Sequence, residues 1–478
     1  MAEKKPKTYS RREFLKIAGA TGAAIGLSAG MGDTTTTAGA ATAAGAAGNI
    51  LIGCPFPVTG WASFDAGEQE RAMDMFVKTI NDGGGLLGRK VEYIIVDVAD
   101  WSPEDQTRAR DTLLDKGVDV FLPGWSLDPA FMDVFAAANI GGIPYIHFGT
   151  TELFAEMHRD KPDKYWNIIQ TDDTPRVYAA NAYKTFCKQL PKVYDYPSKT
   201  FAILTSDNTY NTELSALVRS LLEADPEWEI VVDVKHEYGA TDFGVQMAQC
   251  REKDPGVIFF STAGVPEAAA FTNQFRDNPS QSLVHIQYAP SSPEYRRIVG
   301  KKSLGILWEA LVVANPTKEA VAYREAYIQM HGEAPGHCGA WHQYDEAMAW
   351  AEAVRAVGDV KDYKGIVDYI YATPIKGFTW GPGGLNLCPV YGTDRTTIPP
   401  YDVLPEGSKV RIGVEHGSSA HYYQIQETSD GPQDILCYMH GIPVNDYMMK
   451  YYGYPPQGKY IQELGKAEFQ VPPWIKGA

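Results

Sequence analysis

Long apolar runs are missing from this 478-residue sequence. Its uncharged N-terminal stretch, Ile17–Met31, is rich in Gly and Ala and falls short of the ~20 strongly apolar residues a membrane-spanning helix needs. Cysteine is scarce: six residues, at 54, 187, 250, 338, 388 and 437, with no Cys-x-x-Cys pair. That spacing excludes a zinc ribbon and a dithiol redox motif and leaves any disulfide pairing open. Positive charge is also short, 43 Lys and Arg against 59 Asp and Glu, for a net charge of −16. Such acidity argues against a nucleic-acid partner. Beyond the N-terminal leader no Gly-x-Ser-x-Gly elbow follows a strand-like run, so a hydrolase has no nucleophile to offer. His337 and His342 flank Cys338, but their spacing does not put both imidazoles on one helix face. No metal and no cofactor is expected.

What is present begins with an address. Ser10–Lys16 reads Ser-Arg-Arg-Glu-Phe-Leu-Lys and precedes the weakly apolar Ile17–Met31. A basic segment with paired arginines and a short apolar region is the layout of a twin-arginine export signal. Asp33–Gly48 follows as a low-complexity linker that cannot bury a core. Ala44-Gly45-Ala46 offers a cleavage point, and loss of the first 46 residues takes the net charge from −16 to −19. Leu51-Ile52-Gly53-Cys54 imitates a lipid-attachment box, but the linker separates it from the apolar region. Cys54 is therefore read as part of a buried first strand, Asn49–Cys54, and lipid anchoring is not expected.

The remaining chain of about 430 residues has room for two or three domains. Strand-like runs at Ile50–Gly53, Val91–Val96, Val118–Leu122 and Ile143–Phe148 alternate with helix-like segments at Glu68–Ile80, Pro103–Lys116 and Pro129–Ala138. Ser102-Pro103-Glu104-Asp105 and Asp128-Pro129 mark helix starts. After a joint at Asp172–Pro175 a second series follows, with strands at Thr200–Thr205, Glu229–Val234, Val257–Ser261 and Leu283–Tyr288. Two such α/β series in tandem predict two lobes, each a doubly wound, mostly parallel sheet flanked by helices.

Ligands collect beyond the carboxyl ends of parallel strands. Four loops stand there: Pro55–Phe64, Pro123–Asp128, Gly149–Thr151 and Ser206–Asn211. Their hydroxyls and backbone N–H groups suit a carboxylate, and their aromatics suit an apolar body or, through π faces, a cation.

The chain from Ile50 to about Gln426 resembles the type I periplasmic solute-binding proteins of branched-chain amino acid, amide and urea ABC importers. The matching pieces are Pro57-x-Thr59-Gly60, Asn81-x-x-Gly84-Gly85-x-x-Gly88-Arg89, Asp97, Ile143-Pro144, Tyr344-Asp345-Glu346-Ala347, and Gly377-Phe378 with Gly381. The resemblance implies a two-lobed Venus flytrap that closes on a small solute, an apolar or aromatic amino acid, amide or carboxylate, and presents it to a membrane permease. It implies no enzymatic activity and an extracytoplasmic location. The expected organisation is leader and linker at 1–47, lobe one at 48–171 plus about 311–375, and lobe two at 172–310 plus about 376–427. Residues 428–478 would form an extension outside the common core.

By position, the resemblance assigns ligand contacts to Ser126, Gly149, Thr150 and Thr151 from lobe one, and to Tyr210, Gly264 and Tyr288 from lobe two. Trp61, Phe64 and Trp125 would border the cleft. One departure stands out. Amino-acid-binding members place an acid after the strand that here is Leu283–Tyr288, whereas this loop is Ala289-Pro290-Ser291. An ammonium would then need Asp207 or Glu267 instead, since an unpaired buried charge is costly. The alternatives are an exported cofactor- or metal-containing enzyme and a sensor of the same fold.

Overall fold

The computed structural model describes residues 48–60, 62–126, 128–172, 174–310, 313–337, 339–380, 385, 420–458 and 468–475. Two sheets organise them. The first comprises β1 (Ile50–Phe56), β2 (Val91–Asp97), β3 (Val120–Gly124), β4 (Tyr145–His147) and β5 (Ile168–Gln170). Its spatial order is β2-β1-β3-β4-β5, parallel throughout. The second comprises β6 (Thr200–Ser206), β7 (Glu229–His236), β8 (Val257–Ser261), β9 (Leu283–Ile286) and β10 (Leu307–Ala310). To these it adds β11 (His421–Thr428), β12 (Gly431–Met439) and β13 (Ile442–Pro443). Its order is β13-β12-β11-β10-β9-β8-β6-β7. The parallel part, β7-β6-β8-β9-β10, repeats the winding of the first sheet, and β11 to β13 continue it antiparallel. The two lobes expected from the sequence are these two sheets with their helices.

The parallel strands are covered on both faces, which is why they read as continuous apolar runs. Ile50, Ile52, Cys54 and Phe56 of β1 are all fully buried, so Cys54 is core. The helix starts follow the expected chemistry. Ser102 Oγ accepts from the Asp105 N–H at 3.1 Å, and Asp128 Oδ1 accepts from the Ala130 N–H at 2.7 Å. The segment after Asp128 is not one helix but two short ones, Ala130–Val134 and Ala137–Ile140. β5 and β10, of three and four residues, are strands that the sequence pattern does not mark.

The chain leaves the first lobe after β5 and returns to it after β10. Helices Lys318–His331, Gly339–Val357 and Tyr363–Ala372 then pack on the first lobe, where Tyr327, Trp350 and Ile366 share a core with Ile50 and Phe76. The described residues after 427 pack on the second lobe. β12 pairs with β11 along its length. Farther on, Gln424 exchanges hydrogen bonds with Gln470 and the Trp474 indole donates to the Ser282 carbonyl at 2.9 Å.

The residues that carry the resemblance mostly tie turns together. Thr59 Oγ1 donates to Asp97 at 2.6 Å. The Asn81 amide pairs with both backbone groups of Val91 at 2.9 Å, as a strand would. A Cβ on Gly85, at φ +88°, would lie 2.2 Å from the Arg89 carbonyl oxygen, so only glycine closes that turn. Asp345 accepts from the N–H groups of Phe378 and Thr379, at 3.0 and 2.8 Å. Cys338, Cys388 and Gly381 lie outside the described residues.

Candidate functional site

In the order β2-β1-β3 the winding reverses between β1 and β3, and the crevice beyond their carboxyl ends is the natural place for a ligand. The chain after β1 enters the Ser63–Asp82 helix with Asp65 in its first turn. β2 leads to Trp101, β3 leads to Trp125 and Ser126, and in the second lobe β9 leads to Tyr288. These residues meet. The Trp101 and Trp125 rings are 5.0 Å apart and tilted by 42°. Trp125 meets Tyr288 edge to face at 6.0 Å, across the two lobes. The Tyr288 hydroxyl donates to Asp65 Oδ1 at 3.3 Å. Ala62, Val98 and Phe148 pack in the same cluster.

Two of these aromatics sit on unusual backbone. Tyr288 has φ +59° and ψ −53°, and the Ala289 N–H donates to the Gln287 carbonyl at 2.7 Å. This is a γ-turn of the rare, strained hand. Trp101 has φ +58°. Such conformations cost roughly 1–3 kcal/mol each for a side chain with a Cβ, and they gather where a site is held in a set geometry.

The electrostatics of the crevice are acidic. Burial pushes the half-buried Asp65 carboxyl up to about 7, against the Tyr288 hydrogen bond and with help from the nearby Glu68 charge. Glu68 is paired with Arg71 at 2.6 Å. Arg71 also donates to the Tyr327 hydroxyl at 2.7 Å and approaches Glu333 at 3.5 Å. Burial likewise raises the Tyr238 phenol from lobe two, reinforced by the charges of Glu267, Asp100 and Asp65.

The residues expected from sequence divide. Trp125, Ser126, Gly149 and Tyr288 are brought together around the crevice. A Cβ on Gly149 would come within 3.1 Å of the Ser126 carbonyl oxygen. The Gly149 N–H donates to His147 Nδ1 at 3.1 Å, which leaves the ring proton on Nε2. Burial, and then His158, holds that imidazole neutral, down to about 3. Ser126 Oγ is bonded to the backbone of Asp128, at 3.2 and 3.3 Å. Thr150 is half-buried, and Thr151 is fully buried with no partner for Oγ1 among the described residues.

Three others have different surroundings. Phe64 is 42% exposed. Tyr210 is in the core of lobe two, its hydroxyl accepting from Gln287 at 2.9 Å and its ring against Tyr178. Gly264 is buried, donating to Thr262 Oγ1 at 3.1 Å. Trp61 lies outside the described residues.

Neither of the acids suggested as an ammonium partner is free for it. Asp207 pairs with Lys235 at 3.0 Å on the surface. Glu267 is held by His236 at 2.5 Å, Thr262 at 2.7 Å and Ser206 at 3.2 Å. Asp65 and Trp101 were not picked out in sequence. Both follow strand ends, as the four chosen loops do, and that signal would have found them.

The Gly149–Thr151 turn leads into the Glu152–Asp160 helix. Its first N–H, on Glu152, donates to Glu213 of lobe two at 2.9 Å. A carboxylate of the protein itself therefore takes the start of that helix. His337 and His342 do not converge. His337 pairs with Asp434 at 3.1 Å, and His342 lies between Thr171 and Thr379 at 3.1 and 2.9 Å. Among the described residues no group of three or more metal-ligating side chains occurs. Among the same residues, no helix is long and apolar enough to cross a membrane.

Residues 49–392 match the family described as periplasmic binding protein. The chain belongs to that family. Solute binding, not catalysis, is therefore its activity, in agreement with the sequence reading. No curated protein matches it. Among solved structures, a putative branched-chain amino acid ABC transporter protein from Silicibacter pomeroyi is 22% identical at a TM-score of 0.68, covering 89% of this chain and 100% of the other. The branched-chain amino acid substrate-binding protein of Streptococcus pneumoniae in complex with isoleucine is 16% identical at 0.61, covering 81% and 99%. A solute-binding protein of Rhodopseudomonas palustris in complex with 3,4-dihydroxybenzoic acid is 18% identical at 0.60, covering 82% and 97%. This periplasmic binding protein thus shares its fold with proteins whose ligands differ.

Proposed function

We propose that this periplasmic binding protein is the extracytoplasmic receptor of an ABC importer. It captures a small organic solute between its lobes by hinge closure and hands it to a membrane permease. The solute class drawn from the sequence is an apolar or aromatic amino acid, amide or carboxylate, and the neighbours that hold isoleucine or a dihydroxybenzoate support that range. The observation that carries the reading is the meeting of Trp101 and Trp125 from one lobe with Tyr288 from the other. Ser126, Gly149, Thr150 and Thr151 would complete the lobe-one wall. The lobes would comprise 48–171 with about 311–375, and 172–310 with the segments that build β11 to β13.

Export by the twin-arginine route follows from Ser10–Lys16. Anchoring at Cys54 is not part of the proposal, because its thiol is inside the first sheet. Thermal unfolding against amino acids, short amides, urea, aromatic carboxylates and quaternary amines tests the receptor reading. A ligand at 100 times its dissociation constant stabilises by about 2.7 kcal/mol. If no member of the panel raises the melting temperature, the reading fails.

A further inference from the structure

Asp65 is half-buried, and among the described residues the only hydrogen bond of its carboxylate is from the Tyr288 hydroxyl, with no ion pair. The nearby cation, Arg71, is engaged by Glu68, Tyr327 and Glu333. Tyr288 touches Asp65, its ring meets Trp125 and Trp125 meets Trp101, and two of these three aromatics sit on strained backbone. A carboxylate beside aromatic faces attracts an organic cation by charge and by the ring quadrupoles together. The first N–H of the Glu152–Asp160 helix, which would otherwise draw an anion, is already met by Glu213.

We propose that Asp65, with the rings of Trp101, Trp125 and Tyr288, is the subsite for a cationic amine group of the ligand. The inference rests on the receptor reading and narrows its ligand class. In the form described here Tyr288 covers the subsite from lobe two. Opening of the lobes withdraws its hydroxyl from Asp65, and the amine takes that place before the lobes close again. An amine is common to amino acids and to simple organic cations, and the test separates the two.

Binding of phenylalanine, phenethylamine, phenyltrimethylammonium and 3-phenylpropanoate to the mature protein is measured by calorimetry, for wild type, Asp65→Asn and Tyr288→Phe. At least one amine-bearing probe should bind about tenfold or more tighter than 3-phenylpropanoate. Asp65→Asn should erase that preference, leaving 3-phenylpropanoate within about threefold. Tyr288→Phe, which keeps the ring but frees Asp65 of its competitor, should tighten the amine-bearing probes a few-fold. Phenylalanine ahead of phenethylamine assigns the amine to an amino acid, and the reverse order to an organic cation. If 3-phenylpropanoate binds as well as the amines, or Asp65→Asn changes nothing, the inference falls while the receptor stands. Loss of all four probes in wild type overturns the inference, and the panel in the preceding section then decides the receptor reading separately.

Discussion

The γ-turn at Tyr288 sets two properties against each other, and a pair of substitutions separates them. Tyr288→Ala and Tyr288→Gly both remove the ring that meets Trp125 and the hydroxyl that meets Asp65. Side-chain losses therefore cancel between the two variants. What remains is the backbone at φ +59°, where alanine keeps the strain and glycine relieves it. That relief is worth roughly 1–3 kcal/mol, less about 0.5–1 kcal/mol for the greater freedom of glycine in the unfolded chain. The glycine variant should thus be the more stable by about 0.5–2 kcal/mol. For lobes of this size each kcal/mol moves the melting temperature by roughly 2–4 °C. Urea unfolding followed by tryptophan fluorescence, with equal slopes in the two variants, reads the difference directly. Both variants should bind ligand more weakly than wild type. An alanine variant as stable as the glycine one would refute the idea that the turn stores strain.

Other expectations follow from buried polar groups. Burial raises Asp65, which faces Glu68 and Tyr288, and Glu213, which faces Glu152 and Glu156, each to about 7. Their folded values lie above the unfolded ones, so the stability they contribute is complete below about pH 4 and is lost as pH rises through about 7. Asp65→Asn and Glu213→Gln should each flatten the pH dependence of the melting temperature between about pH 4 and pH 7, relative to wild type; unchanged slopes would contradict this. Asp345→Ala strands the N–H groups of Phe378 and Thr379 and should cost about 2–4 kcal/mol in a denaturant titration. Cys54, Cys187, Cys250 and Cys437 are buried free thiols with raised pKa values. They should react with a thiol reagent only on unfolding, and prompt reaction in the native protein would show that burial wrong.

The fold was legible because both series follow rules local to the chain. Apolar strands alternate with capped helices, and Pro103–Lys116 matches its expected limits residue for residue. The site was legible only in outline. Strand-end reasoning named Trp125, Ser126, Gly149 and Tyr288, which lie around the crevice, and Tyr210, whose side chain the Gln287 bond and the Tyr178 ring hold in the lobe-two core. Asp65 is an ordinary acid near a helix start until lobe two is folded against it, so its role depends on a contact more than 200 positions away in sequence. The motifs behind the family resemblance gave the architecture instead. Thr59, Asn81, Gly85 and Asp345 hold turns and backbone ends, and they say little about what is bound.

The interleaving of the lobes also bears on the order of synthesis. The core of the first lobe needs Tyr327, Trp350 and Ile366, and the second sheet needs β11, β12 and the residues around Trp474. Domains usually fold in turn as they leave the ribosome, at about 5–20 residues per second. Here neither lobe is contiguous, so the face of β1 to β5 that packs on the late helices must wait until some two hundred further residues have emerged, while Phe131, Phe135 and Phe154 already cover the other. A nascent chain stalled near residue 310 would hold two unfinished cores at once, a state that chaperones would have to shelter.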